Sequence, residues 1–141
     1  MKSQTTHCCA PPGGPPAHAL FPRGPHAPAD ARRYVRDVLV HDDDPLGENQ
    51  LNDILLIVSE LVTNAYLHGT GPGGSVLVTV MTTRDTVRIE VDDSGRQRPH
   101  VRDASEDRDD GRGLHIVDAL AARWDVADRP PGKKVWAEVA R

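Results

Sequence analysis

Aromatic residues are scarce in this chain of 141 residues, with one Phe, two Tyr and two Trp. A hydrophobic core must therefore come from Val, Leu, Ile and Ala. Cysteine is rarer still: Cys8 and Cys9 are its only two occurrences, side by side in a Pro/Gly-rich stretch. Adjacent cysteines cannot staple a fold. With His7 they could join a metal site, but no second ligand cluster exists in the sequence. No apolar run is long enough to cross a membrane. The N-terminus lacks the apolar centre of a signal peptide, so a cytoplasmic protein without a membrane partner is expected. A basic excess is missing too. The formal net charge is −4, which leaves no electrostatic footprint for direct nucleic-acid binding. Internal repeats are absent, and the length favours one domain with a tail.

Residues 1–16 read as a disordered tail, since Pro11, Pro12, Gly13, Gly14, Pro15 and Pro16 oppose any regular element. One domain is expected over 17–141. Ala19-Leu20-Phe21 reads as a short edge strand before Pro22. Helical spacing of Ala31, Tyr34, Val35, Val38 and Leu39 predicts a helix over Pro28–Val40. Its Arg32, Arg33 and Arg36 form either a solvated face or a partner-docking surface. After the break at His41–Gly47, a long second helix is expected from Glu48 to His68, ended by the glycines from Gly69 onward. Its apolar stripe is Leu51, Ile54, Leu55, Val58, Leu61, Val62 and Ala65.

Two strands, Ser75–Thr82 and Thr86–Asp93, follow around the turn Thr83-Arg84-Asp85 as an antiparallel pair. The polar stretch Ser94–Asp110 is long enough to be a functional lid or a disordered loop rather than a passive connector. Leu114, Ile116, Val117, Leu120 and Ala121 mark a third helix. Strands at Arg123–Ala127 and Lys133–Val139, joined by a turn over 128–132, complete the chain.

Three constellations carry chemistry. In the first, Glu60, Asn64 and His68 stand four residues apart on the second helix, so they are neighbours along one surface. Glu60 points nearly opposite the apolar stripe. A carboxylate beside an amide suits a hydrated Mg²⁺ and a phosphoryl acceptor. In the second, Asp93 falls in phase with the inward set Val87, Ile89 and Val91, while Asp92 falls in phase with Arg88 and Glu90. A buried carboxylate needs a hydrogen-bond partner, which an exocyclic amine such as that of adenine can supply. Gly95 would let a ring approach the backbone. The competing reading ends the strand at Val91 and makes Asp93 part of a turn. In the third, Gly111-Arg112-Gly113-Leu114 opens a helix, where free amides attract anions. It is neither a Walker loop nor a Rossmann turn.

The order of these three segments resembles the GHKL (histidine kinase-like) ATPase superfamily, and within it the small anti-sigma factor serine/threonine kinase branch. Glu60-Leu-Val-Thr-Asn64-Ala looks like the family's N box. Asp93-Ser-Gly95 looks like its first glycine box, and Gly111-Arg-Gly113-Leu-His-Ile-Val117 like its second. The resemblance covers roughly Leu20 to Val139. It implies an α/β two-layer sandwich of the Bergerat type: a mixed, mostly antiparallel sheet of about five strands, with about three helices on one face.

The same resemblance implies roles. Asn64 would hold Mg²⁺ bridging the phosphates of ATP. Glu60 would orient or deprotonate the attacking hydroxyl as the catalytic residue. Asp93 would bind the adenine amine and Gly95 would shape that pocket. Gly111, Arg112, Gly113 and Leu114 would bind phosphates, with His68 near them; otherwise His68 holds a carbonyl at the helix end. The implied activity is ATP-dependent phosphorylation of a STAS-type anti-sigma factor antagonist, with a sigma factor as a second partner and a homodimer allowed. The alternative is a non-catalytic, ATP-responsive module that sequesters a regulatory partner. The chain departs from relatives at Gln97, where a second Gly is common. It departs again at Lys134, where a Thr beside the adenine is common.

Overall fold

Alternation of buried with half-buried residues gives the strands Ser75–Thr82 and Thr86–Asp93 their two faces, with Val76, Val78 and Val80 and then Val87, Ile89 and Val91 on the buried one. The computed structural model describes residues 16–69, 73–93, 114–129 and 132–141. Five strands form one sheet in the order β1-β2-β3-β5-β4. They are β1 (Ala17–Pro22), β2 (Ser75–Thr82), β3 (Thr86–Asp93), β4 (Arg123–Arg129) and β5 (Gly132–Ala140). All four pairings among the described strands are antiparallel, in keeping with the mixed, mostly antiparallel sheet expected. Strands β2 and β3 begin and end where the alternation predicts. Strand β1 extends the expected Ala19–Phe21 segment at both ends, and it does occupy an edge.

The helices are α1 (Ala27–Val40), α2 (Glu48–Asn64) and α3 over 114–120. Val76, Val78 and Val80 of β2 join Val87, Ile89 and Val91 of β3 and Val135, Ala137 and Val139 of β5 in a single core. Ala31, Val35 and Leu39 of α1 and Ile54, Ile57, Val58, Leu61 and Val62 of α2 close it from the other side. The helices therefore share one face of the sheet, in two layers. Each fully buried Val, Leu or Ile contributes about 1.5–3 kcal/mol. Aliphatic side chains supply nearly all of this core, as the composition requires. Of the few aromatic rings, Phe21 of β1 meets Tyr34 of α1 edge-on at 5.9 Å, and Trp124 of β4 donates its indole N–H to Asp118 of α3 at 2.8 Å.

Two helix details differ from expectation. Ile57 is fully buried, so the apolar face of α2 is wider than the stripe read from the sequence. One edge of α2 abuts α1, where Arg32 donates to the Ser59 hydroxyl. Arg32 thus leaves the solvated face expected for the α1 arginines. Second, the helix expected to run unbroken to His68 keeps α geometry only to Asn64. Ala65–Gly69 continues as a π-helical turn. The tail over 1–15 and the lid over 94–110 lie outside the described residues. No helix among the described residues is long and apolar enough to cross a membrane.

The other face of the sheet carries charge. Lys134 Nζ donates to Glu90 at 2.8 Å. Arg88 donates to Glu90 at 2.8 Å and to Glu138 at 3.0 Å, and Arg123 also donates to Glu138. Arg88 lies flat over Trp136, 4.0 Å from the ring centroid. Burial alone would raise the Glu90 carboxyl. The hydrogen bonds from Lys134 and Arg88 outweigh it and leave Glu90 below the usual carboxylate range. Glu138 behaves likewise: burial raises it, and hydrogen bonds from Arg123 and Arg88 lower it further.

A carboxyl lowered in the folded state stabilises fully above its unfolded value. That contribution is lost as pH falls through the folded value. Lys134→Met should therefore cost about 1 kcal/mol at pH 7. The deficit should shrink as pH falls below the usual carboxylate range and Glu90 becomes protonated in the folded as well as the unfolded state. Urea denaturation at pH 7 and below that range checks this; an equal deficit at each would mean that packing, not charge, holds the ladder.

Candidate functional site

Helix α2 owes its position to Ile54, Ile57, Val58, Leu61 and Val62, all fully buried. Glu60 and Asn64 interrupt this apolar pattern, and both side chains are half-buried. Their four-residue spacing lies within α geometry, so they remain neighbours on one surface. His68, the third member of the expected ladder, falls within the π-helical turn rather than in the α-helix.

Strand β3 runs to Asp93, which pairs across the sheet with Val76. Asp93 is therefore part of the strand and not of a turn. It keeps the phase of Val87, Ile89 and Val91, on the helix-bearing side. Its side chain is half-buried rather than buried, and its Oδ1 accepts the Lys133 backbone N–H at 3.3 Å. Asp92, of opposite phase, is the more buried of the two at 9% exposure. The π-helical turn after Asn64 packs against β3. The polar end of α2 and the carboxylate end of β3 thus meet at one end of the sheet.

Lys134 does not stand beside this site. It pairs with Asp92, in the outward phase, and its ammonium is held by Glu90 on the far face. The neighbour of Asp93 is Lys133, through its main chain. Leu114 opens α3 and packs half-buried against the core. Gly95, Gln97, Gly111, Arg112 and Gly113 lie outside the described residues.

Sequence reasoning missed Arg23. It follows β1 directly, and its Nε donates to the Tyr66 carbonyl of the π-helical turn at 3.2 Å. An arginine 43 positions away from its acceptor carries no local signal in the sequence.

Among the described residues, no cluster of three or more His, Cys, Asp or Glu side chains could hold a metal ion by itself. Mg²⁺ typically takes one or two protein oxygens and completes its shell with phosphate oxygens and water. The Asn64 carbonyl oxygen, with the Glu60 carboxylate one turn away, is a donor set of that hard-oxygen kind.

The family model for the histidine kinase-like ATPase domain matches residues 21–139, which spans every element from the end of β1 to β5. No curated protein matches the chain at a significant level. The matched span contains Glu60, Asn64 and Asp93, and the antiparallel sheet with helices on one face agrees with the fold that this family implies. The chain belongs to the histidine kinase-like ATPase family and is an ATP-binding domain.

Proposed function

We propose that this domain is an ATP-dependent serine/threonine protein kinase of the anti-sigma factor type, whose substrate is a STAS-type antagonist and whose second partner is a sigma factor. The observation that carries the reading is the meeting of α2 and β3. Half-buried Glu60 and Asn64 stand one turn apart on a helix that ends against the strand bearing Asp93. The order of the N box and the two glycine boxes, as in the small anti-sigma factor kinases, supports the substrate class.

Mg²⁺–ATP, when bound, supplies the γ-phosphoryl group and a cation that neutralises its charge. The protein's own residues do the rest. Asp93 accepts a hydrogen bond from the adenine amine. Asn64 offers its side-chain oxygen to the cation. Glu60 orients the acceptor serine and takes its hydroxyl proton as the serine oxygen bonds to phosphorus and the bond to ADP breaks. Gly95, Gly111, Arg112, Gly113 and Leu114 are assigned to the nucleotide by resemblance, and His68 to the phosphate end. Lys134, on the far face, gives no argument against catalysis.

Calorimetric titration with ATP, with and without Mg²⁺, tests the site. Wild-type protein should bind more tightly with Mg²⁺. Asp93→Asn should weaken binding by about 10- to 100-fold, the equivalent of one charged hydrogen bond. Asn64→Ala should remove the dependence on Mg²⁺. No binding by wild-type protein at millimolar ATP would overturn the reading. Nucleotide-dependent capture of the antagonist without phosphoserine in its mass spectrum would make the domain a binding module instead.

A further inference from the structure

The last carbonyls of any helix lack intrahelical partners. The π-helical turn Ala65–Gly69 presents such carbonyls directly after Asn64. Turns of this kind are uncommon and concentrate at functional sites. One of its carbonyls, that of Tyr66, accepts the Arg23 side chain.

Arg23 is itself fixed from both ends. Its backbone N–H donates to the Gly74 carbonyl at 2.9 Å, one step beyond the last β1–β2 pair, Pro22 with Ser75. Its guanidinium then lies 4.8 Å from the centroid of the Tyr66 ring. Tyr66 is thus held twice, through its carbonyl and through its ring. The positive charge also sits at the negative end of the α2 dipole, where a cation is favoured. Asn64 precedes Tyr66 by two residues, and His68 follows it by two.

We propose that Arg23 is a positioning residue for the nucleotide site. By tying the π-helical turn to the end of the β1–β2 pair, it sets the distance of Asn64 from Asp93. The inference rests on the ATP reading above. Global stability does not depend on this tie, because α2 is anchored by five side chains that are fully buried without it. The tie governs how the helix ends, and so where the Asn64 oxygen stands.

The test compares wild type with Arg23→Ala, Arg23→Gln and Arg23→Lys. ATP is titrated calorimetrically with and without Mg²⁺, and amide exchange of residues 65–69 is followed without nucleotide. Arg23→Ala should melt within about 4 °C of wild type. Its Mg²⁺-free ATP affinity, carried by Asp93, should be retained. The affinity gained on adding Mg²⁺ should fall about tenfold, the usual effect of losing support behind a metal ligand. Exchange in the turn should quicken. Arg23→Lys, which keeps a donor and a charge, should recover part of the gain, and Arg23→Gln less.

An unchanged Mg²⁺ gain in Arg23→Ala would overturn the proposal while leaving the nucleotide site standing. So would a loss of affinity equal with and without Mg²⁺, or unfolding of all three variants, because Arg23 would then be a general structural support. Wild-type protein that binds no ATP would overturn the nucleotide reading itself, and with it the role of Arg23.

Discussion

Glu60→Ala should reduce phosphoserine formation on the antagonist by about 100- to 10,000-fold, the range for loss of a general base. ATP affinity should change little, because the role proposed for Glu60 is on the acceptor hydroxyl and not on the nucleotide. The expectation follows from placement: Glu60 is half-buried one helical turn before Asn64, the residue assigned to the cation. Glu60→Gln separates the two tasks. An amide can still hold the serine hydroxyl in place, but it cannot take the proton. A base predicts that Gln is nearly as inactive as Ala; an orienting group predicts substantial recovery. Single-turnover transfer from labelled ATP reads this directly. Transfer at the wild-type rate in Glu60→Ala would remove Glu60 from the mechanism.

The largest effect on stability should come from the far end of the sheet. Arg141 is almost fully buried, its side chain only 7% exposed. Its Nη1 donates to the Thr83 carbonyl at 3.0 Å and faces Asp42 Oδ2 at 3.6 Å, while its Nη2 donates to the Asp44 carbonyl. The clamp joins the α1–α2 connection to the β2–β3 turn. Gln50 adds a second tie there, donating to the Ala140 carbonyl at 3.0 Å.

Arg141→Met should cost about 3 kcal/mol, because removing one partner leaves the Asp42 carboxylate buried without its countercharge. Adding Asp42→Asn should return part of that loss. By contrast, Arg33→Ala breaks a pair to Asp30 that is exposed on both sides and should cost under about 0.5 kcal/mol. ATP affinity should survive in Arg141→Met, since the clamp and Asp93 sit at opposite ends of β3. Denaturation midpoints of the four proteins decide the matter. A loss for Arg141→Met no larger than that for Arg33→Ala would mean that the clamp contributes little.

The strands were legible because β2 and β3 obey a simple rule. Val76, Val78 and Val80 and then Val87, Ile89 and Val91 recur at every second position, and Thr83-Arg84-Asp85 separates the two runs. The phase of Asp93 followed from the same rule. The π-helical turn was not legible, since Ala65–Gly69 contains nothing that distinguishes a wide turn from an α turn. Ile57 was missed because α2 buries against both the sheet and α1, which widens its apolar face. The burial of Glu90 and Asp92 on the face opposite the helices is also invisible to alternation. It comes from long neighbours, Arg88, Lys134 and Trp136, that lie across the sheet. The position of Lys134 was misjudged by one residue of phase, which in a strand means the opposite side.

That one-residue distinction has a consequence for how the protein assembles. Asp92 and Asp93 are chemically alike, and so are Lys133 and Lys134, yet Asp93 keeps the phase of the core while Asp92 and Lys134 keep the opposite one. A slip of β5 by a single rung against β3 would carry Lys134, Trp136 and Glu138 into the aliphatic core and turn Val135, Ala137 and Val139 out to water. It would also part Lys134 from Glu90 and Arg88 from Glu138. The charge ladder on the face opposite the helices thus acts as a key for the β3–β5 pairing. It lies away from the proposed nucleotide site, yet it penalises a β5 register that would empty the core of Val135, Ala137 and Val139.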